Sequence, residues 1–152
     1  MRAVIQRCKE ATVKVDEKIV GQISHGFMVL LGIGEDDTDW DISYLARKIA
    51  GLRIFEDADG KMNYSIDKVD GELLIISNFT LYGNPYDGFR PSFSHAMMPA
   101  KAEDMYNKFI EECKKYPFKK VQTGQFGGDM QIDVHNDGPV TIIIESEKGR
   151  KK

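Results

Sequence analysis

Two unbroken apolar runs, Phe27-Met28-Val29-Leu30-Leu31 and Leu73-Leu74-Ile75-Ile76, constrain this chain more than any other feature. A strand with one face in water alternates apolar and polar side chains, so a continuous run of strand length reads as a strand covered on both faces. Residues 140–144, Val-Thr-Ile-Ile-Ile, read as another buried strand. Between these runs the period changes. Ile42, Leu45, Ala46, Ile49 and Leu52 recur at helical spacing, after Asp36-Asp37-Thr38-Asp39, which offers N-caps and early negative charge. A second stripe, Ala102, Met105, Tyr106, Phe109 and Cys113, begins near Pro99, a good first-turn residue, and Pro117 helps to stop it. Val13 and Val15, then Ile19-Gly21-Ile23, and later Met130, Ile132 and Val134 alternate with polar residues, with Glu17-Lys18 as a hairpin-length turn. Strands, helix, strands, helix, strands without an internal repeat make a mixed α/β domain.

At 152 residues one domain is the default, and such a chain buries a real core. Its apolar content of 41% is globular. No stretch approaches the ~20 apolar residues of a membrane span, and the N-terminus lacks a secretory pattern, so a cytoplasmic protein is expected. Cys8 and Cys113 form no C-x-x-C pair and read as reduced core cysteines. A net charge of −3 argues against a general polyanion binder. Lys114, Lys115, Lys119 and Lys120, and separately Lys148, Arg150, Lys151 and Lys152, are either solvated ends or local phosphate contacts.

Polar residues beside the apolar runs are harder to ascribe to packing. Ser77-Asn78-Phe79-Thr80-Leu81 follows the second run, and Asn136-Asp137-Gly138-Pro139-Val140-Thr141 leads into the last strand. Hydroxyls, a carboxamide and a Gly-Pro step there suit a small-molecule or ester site. Each also has a plain alternative: Ser77 and Thr80 can cap strand-end backbone groups, and Asn-Asp-Gly-Pro is a strong turn. A hydroxyl nucleophile needs a base within reach, and neither Ser77 nor Thr80 has a histidine or lysine beside it in sequence. Asp57-Ala58-Asp59-Gly60 has its glycine too early for a calcium loop and reads as a hairpin turn. Gly32-Ile33-Gly34 lacks the third glycine of a nucleotide loop. His25, His95 and His135 lack metal-ligand spacing, so no metal is expected.

With Met1-Arg2-Ala3-Val4-Ile5-Gln6-Arg7, Leu52-Arg53-Ile54-Phe55, Gly88-Phe89-Arg90-Pro91-Ser92-Phe93 and Gly124-Gln125-Phe126-Gly127, these segments make the chain resemble the D-aminoacyl-tRNA deacylase (D-tyrosyl-tRNA deacylase) family over nearly its whole length. The family signatures are S-Q-F-T-L and N-x-G-P-V/F-T. The chain matches the second in full and the first except at Asn78, where the family usually has glutamine. The resemblance implies a single three-layer domain over residues 1–146, two helices packed on a two-sheet β structure, with a basic tail at 147–152. It implies a homodimeric hydrolase that acts on aminoacyl-tRNA without metal or organic cofactor. Ser77, Asn78, Phe79 and Thr80 would then line the scissile ester. A cis Gly138-Pro139 bond, flanked by Asn136 and Thr141, would enter the partner's site, and Phe126, Gly127 and Met130 would pack against the terminal adenosine. Arg7 and Arg90 are each either a structural ion-pair partner or a rim residue.

An aminoacyl ester is already activated, so its hydrolysis needs positioning and donors aimed at the developing oxyanion, each worth ~3 kcal/mol. The Asn78 amide and backbone N–H groups around Phe79 and Thr80 are the expected donors, with water helped by the substrate's 2′-hydroxyl. Main-chain oxygens at Gly138 and Pro139 that accept the α-ammonium leave only a D-side chain an open direction, while glycine has nothing to exclude. The expected activity is hydrolysis of D-aminoacyl-tRNA to free D-amino acid and tRNA, a form of editing. Removal of glycine from tRNA and nucleic-acid binding without catalysis are the alternatives.

Overall fold

The first strand organises the molecule. In the computed structural model, which describes residues 1–150, β1 (Arg2–Val15) runs for 14 residues and has three partners. Along one edge it pairs with the last strand, β8 (Gln131–Glu145). Along the other, its residues 2–8 pair with β3 (Gly26–Gly32) and its residues 11–15 with β2 (Lys18–Ile23). All three pairings are antiparallel. The β1–β2 turn falls at Asp16 and Glu17, one residue before the expected position, and both have positive φ (50° and 65°), which suits a two-residue hairpin.

The other half of the sheet is parallel. β6 (Glu72–Ser77) lies beside β3, and β7 (Val121–Thr123) beside β6. Parallel neighbours require crossovers, and helices supply them: α1 (Asp39–Gly51) between β3 and β6, α2 (Pro99–Cys113) between β6 and β7. The Asp41 carboxylate accepts the Thr38 N–H at 2.8 Å, which caps α1. Ile42, Leu45, Ala46 and Ile49 of α1, and all five residues of the expected α2 stripe, are buried. They pack on β3 and β6 in the larger of two apolar clusters.

The second cluster, around Cys8, Val13, Ile23, Met28, Leu74 and Ile76, fills the opposite face of the sheet. It exists because the sheet curls: a Cβ on Gly21 of β2 would lie 2.4 Å from the Thr123 oxygen of β7, at the far edge. The strands thus form one nearly barrel-like six-stranded sheet, with β4 (Phe55–Glu56) and β5 (Met62–Tyr64) as a separate ribbon. Asp57, Ala58, Asp59 and Gly60 make the turn of that ribbon, as expected.

Three expectations change. The described residues form three α-helices, since Ser146–Arg150 forms a short α3 whose Arg150 pairs with buried Asp41 and whose Gly149 sits against Tyr44. Lys151 and Lys152 lie outside the described residues. The 140–144 run is not buried on both faces: Ile143 is 65% exposed, and among the described residues β8 pairs with β1 alone. Finally, residues 136–139 do not separate two strands but interrupt one. Among the described residues no helix is long and apolar enough to cross a membrane.

Candidate active site

At the C-terminal ends of β3 and β6 the ladder stops and the chain turns. Leu31 pairs with Ser77, and the Asn78 N–H donates to the Leu31 oxygen at 2.8 Å. A single 3-10 turn, Phe79–Tyr82, follows directly. Two glycines let it sit close: a Cβ on Gly32 would lie 2.9 Å from Leu81 Cβ, and one on Gly34 would lie 2.7 Å from the Tyr82 ring. These are packing glycines rather than a phosphate loop. Arg2 secures the turn from below. Its Nη1 donates to the Leu81 oxygen at 3.1 Å, and its guanidinium lies 4.3 Å from the Tyr82 ring centre. Burial pushes the Tyr82 hydroxyl well above the ordinary tyrosine range.

The turn opens onto a cavity of about 630 Å³. Ser77, Asn78 and Phe79 line it, together with Phe126, Gly127 and Met130 from the segment after β7. Phe93, Met97 and Met98, from the loop before α2, contribute as well. Phe79 is 59% exposed and packs edge-on against Phe93, with ring centres 5.1 Å apart. Phe126 serves core and cavity together. It lies 5.7 Å from the Tyr106 ring, whose hydroxyl donates to the Ile75 oxygen at 2.9 Å. Gly124 makes room for Met130, whose sulfur would lie 2.6 Å from a Cβ there.

Among the described residues, none lining this cavity is acidic, basic, histidine, cysteine or tyrosine. Thr80 does not line it. Its hydroxyl donates to Asn78 Oδ1, which leaves the Asn78 carboxamide nitrogen as a free double donor. The histidines lie elsewhere. His95 pairs with Glu35 at 2.8 Å, His25 meets the Val69 oxygen at 2.5 Å, and His135 stands opposite Glu10.

Arg7, Asn136, Gly138, Pro139 and Thr141 belong to a different place. The β1–β8 register passes from Cys8↔Asn136 to Gln6↔Thr141, so residues 137–140 of β8 stand opposite the single residue Arg7. Four residues cannot fit across from one, and the segment leaves the sheet as an excursion. Arg7, only 6% exposed, fills the space behind it. Its Nε donates to the Asp137 oxygen at 3.1 Å and its Nη1 to the Ile54 oxygen at 2.7 Å, with the Asp137 carboxylate at 3.6 Å. Arg7 is therefore a structural anchor. The Gly138-Pro139 bond is cis, and Gly138 has φ +130°. The Thr141 hydroxyl donates to Gln6 Oε1 at 2.5 Å and closes the excursion at its far end. None of these five residues lines the cavity of the same chain.

The segment at this cavity carries one family signature and the excursion carries the other. The family model described as D-Tyr-tRNA(Tyr) deacylase matches residues 4–145. This chain belongs to that family. Among relatives, a D-aminoacyl-tRNA deacylase of Clostridium kluyveri is 55% identical over 148 residues, covering 97% of this chain and 99% of the relative. One of Thermosipho africanus is 53% identical with the same coverage. A solved structure named c-Myc DNA Unwinding Element Binding Protein aligns with TM-score 0.90 at 41% identity, over 95% of this chain and 98% of that one. For a deacylase-family chain, the larger cavity side chains that sequence reasoning missed include Phe93, Met97 and Met98. Only Phe93 had a signal, as the end of Gly88-Phe89-Arg90-Pro91-Ser92-Phe93. Arg2 was equally hidden, inside the quoted N-terminal segment.

Proposed function

We propose that the chain hydrolyses the ester joining a D-amino acid to the terminal adenosine of tRNA, releasing D-amino acid and tRNA. The observation that carries this reading is a signature-lined cavity without a titratable side chain. Such a site has no base of its own to activate the Ser77 hydroxyl or a water. It suits an ester that needs only orientation and oxyanion donors. In this reading the Asn78 amide nitrogen, freed by the Thr80 bond to its oxygen, donates to the developing oxyanion. The first N–H groups of the Phe79–Tyr82 turn, which have no acceptor within the turn, add to it. Phe126 and Met130 hold the adenine, Gly127 allows its close approach, and the substrate's 2′-hydroxyl helps water attack. Ser77 orients the ester.

The site is completed by a second copy of the chain. Ile132 lines the cavity, and Gly138 lies six residues further along β8, about 20 Å of extended strand away. Its own excursion is thus badly placed for its own cavity. β8 has one unpaired edge and an exposed Ile143, features that a symmetric partner covers. In the dimer each excursion reaches the partner's cavity, its main-chain oxygens receive the α-ammonium group, and an L-side chain collides with backbone. The three-layer description belongs to the same reading: helices, sheet, and the part of the sheet that curls back. So does a cytoplasmic location, where aminoacyl-tRNA is made. Glycyl-tRNA is also cleaved, since glycine offers no side chain to reject.

Paired D- and L-tyrosyl-tRNA assays test this. D-tyrosine is released at catalytic protein concentration while the L-ester persists. Comparable rates on both would remove the chiral filter. Release from neither would favour the second reading, nucleic-acid binding without catalysis, which draws on Asn78 and on the name of the 41%-identical structure.

A further inference from the structure

The loop between the 3-10 turn and α2 spends large aromatic surface on solvent. Tyr86 is 90% exposed and Phe89 109%, and Arg90 beside them is exposed too. Single exposed apolar residues need no explanation, but two rings presented together on one loop tip do. The tip is not loosely attached. Asn84 and Ser92 exchange both backbone hydrogen bonds, at 2.7 and 3.0 Å, and pinch off residues 85–91. Inside the pinch, the Asn84 carboxamide accepts the Tyr86 N–H and donates to Asp87, each at 3.0 Å. Gly88, between the two aromatic residues in the chain, has φ +101°, a conformation that side chains rarely adopt.

The root of the loop belongs to the cavity. Gly83, next to Asn84, lies close enough to Phe93 that a Cβ there would meet the ring at 3.0 Å. Phe93, next to Ser92, lines the cavity and packs on Phe79. Phe89 is three residues from Ser92, so at most about 10 Å of chain separates it from that rim. A ligand whose end fills the cavity and whose body leaves it past Phe93 comes within reach of this tip.

We infer that Tyr86 and Phe89 form a stacking platform for the unpaired nucleotides immediately before the terminal adenosine of the substrate RNA, with Arg90 beside their phosphates. This rests on the deacylase reading. Aromatic side chains bind single strands through base faces that every nucleotide has. The loop's charges cancel, Asp87 against Arg90, and the whole chain carries −3. Grip on RNA by stacking therefore fits this chain better than grip by a basic surface. A second copy of the chain is the competing occupant.

The test compares two D-esters, D-tyrosyl-tRNA and 2′(3′)-O-D-tyrosyl-adenosine, which lacks the preceding nucleotides. The Tyr86→Ala/Phe89→Ala variant is expected to lose roughly tenfold or more in kcat/KM on the tRNA, mostly through KM, while staying within about twofold of wild type on the adenosine ester. Phe89→Trp retains activity on both. Equal losses on the two esters, no loss on the tRNA, or a change of oligomeric state by light scattering would each overturn the platform. A wild-type protein inactive on both D-esters would instead overturn the deacylase reading, and the platform with it.

Discussion

The cavity is lined by several elements: β3, β6, the turn that Arg2 secures, and the segment carrying Phe126. The 137–140 excursion hangs from one edge strand and is held from behind by a single buried arginine. The first region is finished within one chain. The second leaves Gly138 and Pro139 exposed, and neither lines the cavity of the same chain. That difference says where each region is vulnerable. Under the proposed function, the cavity should tolerate loss of a peripheral contact but not of its donor, whereas the excursion should tolerate little change in its own backbone.

The largest effect should come from the donor. Asn78→Ala is expected to slow single-turnover deacylation by ~10²–10³-fold. Thr80→Ala removes only the bond that orients the amide, a loss of about tenfold or less. A fall of ~10⁴-fold for Thr80→Ala would make it a base or nucleophile and break the contrast. Gly138→Ala comes next. Its Cβ would lie 2.8 Å from Val140 Cγ2 and 2.9 Å from Val140 N, at a φ that side chains rarely adopt. The excursion must shift, which is expected to cost ~10²-fold in rate with D-amino acids, while urea denaturation changes little.

The smallest effect concerns the foot of the excursion, where Cys8 stands opposite Asn136. Burial pushes the Cys8 thiol from 9.0 up to about 11. At pH 8 the native protein should therefore resist a thiol reagent that labels the unfolded chain rapidly. A folded value above the unfolded one stabilises the fold fully below pH 9, and that contribution is lost as pH rises toward about 11. Fast native labelling at pH 8 would mean that the β1–β8 pairing opens there, and that Arg7 does not hold it.

Much of the fold was legible because helices bury one face repeatedly. The stripes at Ile42 to Ile49 and Ala102 to Cys113 are the buried faces of α1 and α2. Central strands were legible for the same reason, through unbroken runs. β8 was misread because its letters record apolarity and not what covers it. Ile143 is exposed in this chain, yet an exposed isoleucine reads the same in sequence as a buried one. Asn136-Asp137-Gly138-Pro139 has the composition of a turn, and only the register against β1 shows an excursion in mid-strand. Met97 and Met98 sit in a loop without periodicity, so nothing local pointed them at the cavity, and Phe93 was marked only by its place at the end of the Gly88–Phe93 segment. The charged letters of α3 gave no hint that Arg150 folds back on Asp41.

The central claim is that a working site takes its cavity from one chain and its excursion from another. Mixing Asn78→Ala chains with Gly138→Ala chains under subunit exchange tests it directly. Each mixed dimer would hold one site with both parts intact, so the D-aminoacyl-tRNA deacylation rate should recover to roughly a quarter of wild type, far above either variant alone. If the mixture is no more active than its two components, each excursion serves its own cavity or none, and the divided site is wrong.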